Sequence, residues 1–519
     1  MSRRRPSLAL TFAAVLVAAL AVLPLAYLVV RALGADARAW EVVLRPRTLV
    51  LVGDTVGLVV AVTASSCVIG VVLALLVERT DLPLRRVVGV AAALPLVIPS
   101  YVVALALIAA VGPGGLLGQG SWIFGFPGAW AALTLATYPY VYLLAAAGLR
   151  RVDPALEEAA RSLGRSPAQV LREVTLPVLR PSVGAGAVLV SLYALSDFGV
   201  VSLMRYDALT RAIFTQYRSL FDRTPAALLG LVLVLLTAVV LVLEARGRGR
   251  GRVVRGGAGG LRPAVVTPLG RWRVPAALAV GAFGALALLL PVATLVGWAL
   301  RSGAVRPGLG DLAGWALGSV GVSVAAAAVA TLAALPVAAL AVRRPGRLAR
   351  VLERTTFAAN ALPGIVVALA LVFFATRAAP PLYQTLPLLV FAYVVRFLPQ
   401  ALSGTRDALG RVDPALEQAA RGLGAGPGRT FGRITLPLVA PGLLAGATLV
   451  FLSTMKELPA TLLLAPIGFD TLATEVWSAT GTSSYSQAAV PALALIALSA
   501  PVVYALQLRR GERAVPAGR

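Results

Sequence analysis

Four ionisable side chains interrupt otherwise apolar runs of this chain: Asp54, Asp197, Lys456 and Glu457. A charged group in a hydrocarbon setting costs several kcal/mol, so residues of this kind are functional candidates by default, most often along a path for polar cargo. Asp197 and Glu457 are equivalent at an offset of 260 residues, and each follows a polar island by one apolar run. Their oxygens suit a hard cation. Two carboxylates do not make a tight site, so a transient path is the chemistry they permit. The competing reading is a pair of helix-end carboxylates facing water, with Lys456 paired nearby. There is no His, and Cys67 is the only Cys. Cys/His zinc sites, haem–His ligation and disulfides within the chain are therefore excluded. A phosphate-binding Walker A loop needs Gly-Lys-Ser/Thr. The only Lys, Lys456, stands between Met455 and Glu457, so the chain is expected not to be a P-loop ATPase and not to be an enzyme.

The elements that must position these residues are legible from composition. The 519 residues are 59% hydrophobic and 13% charged, against about 25% charged in a soluble domain. Several apolar runs exceed the roughly 20 residues that cross a bilayer as a helix. They lack the alternation of a lumen-facing barrel, so the fold class is an all-α polytopic membrane protein. Twelve spans are expected in two tandem six-helix halves, at about 7–30, 49–77, 87–111, 129–149, 182–204 and 226–243, then 274–300, 312–342, 351–376, 384–404, 442–464 and 486–508. The expected division is a first half over 1–245, a Gly/Arg-rich linker over 246–273, a second half over 274–510 and a tail over 511–519. The net charge of +25 does not point to nucleic acid, because the Arg residues cluster between apolar runs. That pattern is the positive-inside bias and places both termini and both islands in the cytoplasm. Residues 31–48 and 205–225 are the exceptions, expected outside yet carrying several Arg each.

The islands are the strongest repeat. RVDPALEEAARSLGRSPAQVLREVTLPVLRP at 151–181 returns as RVDPALEQAARGLGAGPGRTFGRITLPLVAP at 411–441, without a gap. Asp153 can cap a helix with Pro154 at its first position. Glu157 and Glu158 sit where the helix dipole favours acids. Gly164 can end the helix in a left-handed conformation, and Ser166-Pro167-Ala168-Gln169 reads as a capping box that restarts one. The second copy keeps Asp413, Pro414, Glu417, Gly424 and Pro437 but has Gly426-Pro427 for Ser166-Pro167. The small pairs Ala159-Ala160 and Ala419-Ala420 permit close approach, so two copies predict two docking sites.

The pattern Glu-Ala-Ala-x3-Gly-x9-(Ile/Val)-x-Leu-Pro resembles the EAA loop of permease subunits in ABC importers. It falls on Glu158, Ala159, Ala160, Gly164, Val174, Leu176 and Pro177, and again on Gln418, Ala419, Ala420, Gly424, Ile434, Leu436 and Pro437. The resemblance implies that each loop inserts a coupling helix into a cytoplasmic ATPase subunit. Two copies of that subunit would use ATP-Mg while this chain binds no cofactor. It further implies a substrate-binding protein on the outer face and a location in the bacterial cytoplasmic membrane. Gln418 departs from the motif's Glu, which makes the two contacts unequal in charge. The stretches at 195–223 and 456–480 resemble the fused two-half iron(III) permeases, which implies iron(III) as cargo; thiamine, polyamine and sulfate permeases share the loop. A secondary transporter with internal repeats is the rival of another class. It gives no reason for two islands in register. A membrane-embedded enzyme is disfavoured by the missing His and nucleophile cluster.

Overall fold

A computed structural model describes residues 8–118, 120–219, 223–247, 266–301, 307–359 and 362–512. The chain is a multi-span, all-helical membrane protein. In the first half the elements that matter are α1 (Leu8–Leu33), α2 (Pro46–Arg79), α3 (Arg85–Ala91), α4 (Ser100–Val111), α5 (Phe126–Leu149), α6 (Pro154–Ser162), α7 (Pro167–Ser196), α8 (Gly199–Leu203), α9 (Leu209–Ser219) and α10 (Thr224–Gly247). The second half has α11 (Gly270–Leu300), α12 (Leu309–Arg343), α13 (Arg347–Ala359), α14 (Gly364–Ala378), α15 (Leu386–Arg411), α16 (Pro414–Gly422), α17 (Pro427–Met455), α18 (Pro459–Leu464), α19 (Leu472–Gly481) and α20 (Tyr485–Glu512). Among the described residues ten helices are long and apolar enough to cross a membrane, or twelve if each of two bent pairs counts as one span.

Those bent pairs correct the expected continuous spans at 87–111 and 351–376. The first breaks between residues 97 and 100 with a bend of 96°, the second between 359 and 364 with a bend of 100°. Pro99 and Pro363 stand at the starts of α4 and α14. Proline lacks the N–H that would continue the ladder and biases the preceding residue away from helix. The runs expected over 182–204 and 442–464 also end early, at Ser196 and Met455, each followed by a short separate helix. Hydropathy averaged over a span-length window cannot see these breaks, because the window takes in apolar residues from both sides of each.

The halves interlock. α1 packs on α12, α13 and α14 of the second half, and α11 packs on α4 of the first. Arg31 donates to Thr224 Oγ1 at 2.7 Å and lies over the Phe373 ring. The Trp298 indole donates to the Ala109 carbonyl at 2.9 Å. Within each half the core is equivalent: α2, α5 and α7 pack together, as do α12, α15 and α17. Lipid is as apolar as a leucine side chain, so close backbone approach must supply the packing energy. A Cβ on Gly70 of α2 would lie 2.7 Å from the Val141 Cβ of α5. Gly70→Val is expected to cost about 1–3 kcal/mol through overpacking. The thermal midpoint in detergent reads it, and an unchanged midpoint would refute close packing at this crossing.

The linker expected over 246–273 falls mostly outside the described residues, as does the tail from 513 onward. Its last part is held by the first half: the Thr267 amide donates to the Arg79 carbonyl at 2.8 Å, and the Leu269 amide to Asp81 Oδ1 at 2.8 Å.

Candidate coupling loops and translocation path

The two islands fold as the same object. Asp153 Oδ1 accepts from the Ala155 amide at 3.0 Å, and Asp413 Oδ1 from the Ala415 amide at 2.8 Å, so each carboxylate caps its helix start. Proline at the first helical position gives up a donor that would be unpaired anyway. Gly164 and Gly424 follow the helices with φ of +80° and +84°. In each copy the next residue's amide reaches back to an alanine carbonyl, Arg165 to Ala160 at 3.1 Å and Ala425 to Ala420 at 3.0 Å. That left-handed closure turns the chain sharply into α7 or α17. The Ser166–Gln169 capping box forms in the first copy. Gly426 in the second has no side chain to do the same, and α17 starts without a side-chain cap. A π-turn at Leu171–Thr175 and at Phe431–Thr435 then leads into the span.

Each loop exposes leucines among its polar residues. Leu163 is 83% exposed and Leu423 89%, each just before the left-handed glycine. Leu156 and Leu416 are also exposed. The exposed leucines stand at matching places in both copies. Sequence reasoning singled out the alanine pairs and the glycines but passed over these leucines, which lie one residue before the glycine and two before the motif Glu. Glu158 and Gln418 are exposed at equivalent places. The acid turned toward the spans is instead the preceding residue, Glu157, which is buried, or Glu417, which is half-buried. Thr175 Oγ1 donates to Glu157 at 2.9 Å, and Thr435 Oγ1 to Glu417 at 2.9 Å. Both copies carry that glutamate, so the substitution at 418 alters the exposed surface and leaves the internal tie intact.

The ionisable residues of the apolar runs split. Asp197 and Glu457 occupy equivalent breaks and both cap short helices. Asp197 Oδ1 accepts from the Val200 amide at 2.8 Å and Oδ2 from Ser100 Oγ at 2.6 Å. Tyr193 donates to Ser100 in turn at 3.0 Å. Glu457 Oε2 accepts from the Ala460 amide at 2.9 Å, and its Oε1 pairs with the Arg396 guanidinium. Both carboxylates are buried, at 8% and 4% exposure, rather than open to water. Arg396 stands where the first half has Ala136, at the same offset of 260, so the counter-charge belongs to one half only. Lys456 reaches across the molecule to the Leu96 carbonyl of the other half. Asp54 does not join them. It is half-buried on α2, where its carbonyl accepts from the Tyr206 hydroxyl at 2.8 Å. Its neighbour Thr55 accepts from the Leu209 amide at 3.0 Å, and Ser319 on α12, 264 residues further on, from the Leu472 amide at 2.9 Å. Among the described residues no group of three or more Cys, Asp or Glu side chains is arranged to hold a metal ion.

The model of one family, the binding-protein-dependent transport system inner membrane component, matches twice, over residues 66–246 and 326–510. The chain belongs to this family. The starts of the two matches are separated by the same 260 residues as the islands, so each family unit holds one loop. The chain is similar to the Fe(3+)-transport system permease protein FbpB 2 of Haemophilus influenzae, at 33% identity over 97% of this chain and 99% of that protein. It is also similar to the ferric transport system permease protein FbpB of Actinobacillus pleuropneumoniae, at 25% identity over 72% of this chain and 58% of that protein. As an ABC-type permease of the binding-protein-dependent family, the chain has its loops at one end of the bundle. Two cavities lie at the opposite ends of the spans. One of about 620 Å³ is lined by Phe124, Arg205, Trp298 and residues 483–487. The other, about 420 Å³, is lined by Asp311, Trp315 and Glu475 among others. Burial raises the Glu475 carboxyl above its ordinary range, with further upward pushes from Asp470 and Asp311.

Proposed function

We propose that this permease carries iron(III) through the bacterial cytoplasmic membrane, driven by two copies of a separate ATPase subunit docked on the islands. Its loops face the cytoplasm, with both termini on that side, and a binding protein delivers cargo to the cavities at the far face. The observation that carries the cargo assignment is the end-to-end similarity to an Fe(3+)-transport permease, 97% of this chain against 99% of that one. Docking is supported by the two equally built loops and their exposed leucines, Leu163 and Leu423. The ATP chemistry must reside elsewhere, since the sequence has no Gly-Lys-Ser/Thr.

The coupling residues in this reading are Glu158, Ala159, Ala160, Gly164, Leu176 and Pro177, with Gln418, Ala419, Ala420, Gly424, Leu436 and Pro437. Asp197 and Glu457 are buried, and the adjacent Lys456 bonds the Leu96 carbonyl of the opposite half, so the path candidates lie where the halves meet. A hard, highly charged cation passing there meets two carboxylates, of which Glu457 is already paired with Arg396. Asp54 stands apart from them. Reconstitution with the ATPase subunit and binding protein of the same genome tests the assignment. ATP-dependent uptake of radio-iron(III) is expected, with thiamine, polyamine and sulfate left outside. Uptake of one of those three instead would overturn the cargo assignment, and ATP-independent uptake would overturn the ABC mechanism.

A further inference from the structure

In α6 the single buried residue is not a leucine but Glu157. Its Oε1 lies 3.4 Å from Nη2 of Arg79, the last residue of α2, and both side chains are almost wholly buried. The same Arg79 nitrogen donates to the Leu149 carbonyl at the end of α5, at 3.1 Å. Thr175, at the start of the next span, donates to the same Glu157 oxygen. One carboxylate therefore gathers the ends of α2 and α5, the root of α7 and the coupling helix. The second half repeats the node: Arg343 ends α12, its Nη2 meets Glu417 Oε1 at 2.7 Å, and its Nη1 donates to the Val412 carbonyl at 3.3 Å. Thr435 completes it. Burying a charge pair contributes little to stability against an apolar pair of the same shape. Its directionality is the difference, since charge-assisted bonds fix position where apolar packing slides. The apolar residues of the helix, Leu156 and Leu163, are left facing outward for a partner.

We infer that the Arg79–Glu157–Thr175 and Arg343–Glu417–Thr435 nodes are mechanical ties that make each coupling helix move as one body with the ends of its spans. This rests on the ATPase-coupled reading above and adds the route by which subunit motion reaches the path. Glu157 and Glu417 are positioning residues, acting through the spans. The two nodes join equivalent elements and differ in closeness and burial: Arg343 hydrogen-bonds Glu417 at 2.7 Å while Arg79 pairs with Glu157 at 3.4 Å, and the Arg79 and Glu157 side chains are 8% and 4% exposed, those of Arg343 and Glu417 21% and 14%.

The test uses the full permease, its ATPase subunit and iron(III)-loaded binding protein in liposomes. The readout is iron(III) imported per ATP hydrolysed, which a loss of folded protein alone does not move. The Glu157→Gln/Glu417→Gln double variant is expected to keep its ATPase subunits and lose roughly tenfold in that ratio, a coupling loss of the size carried by residues within a network. Arg150→Gln breaks a surface pair between the same two helices, Arg150 to Glu78 at 2.6 Å, and is expected to stay within about twofold. Should the double variant fail to fold, Thr175→Val with Thr435→Val keeps every charge and removes one bond per node; a drop of about threefold is expected, as for one lost hydrogen bond per node shared between two states. An unchanged ratio in either variant overturns the tie. A wild-type chain that recruits no ATPase subunit overturns the reading on which it stands.

Discussion

Gly164→Val combined with Gly424→Val is expected to abolish recruitment of the ATPase subunit and to lower coupled uptake about a hundredfold, from ~1–2 kcal/mol of left-handed strain at each of two sites. A Cβ at either position meets no atom within 4 Å, so crowding is not the cause. The cause is the dihedral: φ of +80° and +84° forces a β-branched side chain against its own carbonyl. The loop relieves the strain by opening the turn, which displaces Leu163 and Leu423 from the surface they form. The spans do not depend on that turn, so membrane insertion and the melting profile in detergent should persist. Gly164→Asn with Gly424→Asn is the control, since asparagine tolerates the left-handed region, and it should retain most of the uptake. Co-purification and uptake equal to wild type in the valine variant would remove the loops from the docking surface.

Arg396→Met has the second largest expected effect, and it falls on folding. Glu457 is buried at 4% exposure and pairs with the Arg396 guanidinium while capping α18. Removing one partner of a buried pair leaves an uncompensated charge, which costs about 3–5 kcal/mol. The yield of monodisperse protein in detergent should collapse. Adding Glu457→Gln to Arg396→Met should restore most of it, because the amide keeps the shape and one cap bond without the charge. Wild-type yield from Arg396→Met alone would show that the carboxylate is not held by this pair. The equivalent change in the first half has no counterpart, as Ala136 stands there and Asp197 relies on Ser100 and backbone amides.

The loops were legible in detail because their information is local. Asp-Pro, the left-handed glycine and Ser-x-x-Gln each act within four residues of chain, and all formed as expected. Glu158 and Gln418, identified as the point where the copies differ, are both exposed. The inequality in charge at this position therefore lies on the exposed face of the loops, and the internal ties at Glu157 and Glu417 are common to both copies. The choice between Glu157 and Glu158 depended on which face of α6 meets Arg79, a residue 78 positions earlier in the chain.

The sequence by itself determined the membrane class, the duplication at an offset of 260 and the construction of the two loops. Apolar length, repeat and capping chemistry are properties of short segments, which need no partner to express them. Only the tertiary structure decided that two expected spans break by nearly a right angle, that α1 and α11 each pack on the opposite half, and that Asp197 and Glu457 are buried caps while Asp54 stands apart. Those outcomes depend on which helices meet. In a bilayer that is set by small-residue contacts and paired charges, not by the hydropathy that all the helices share.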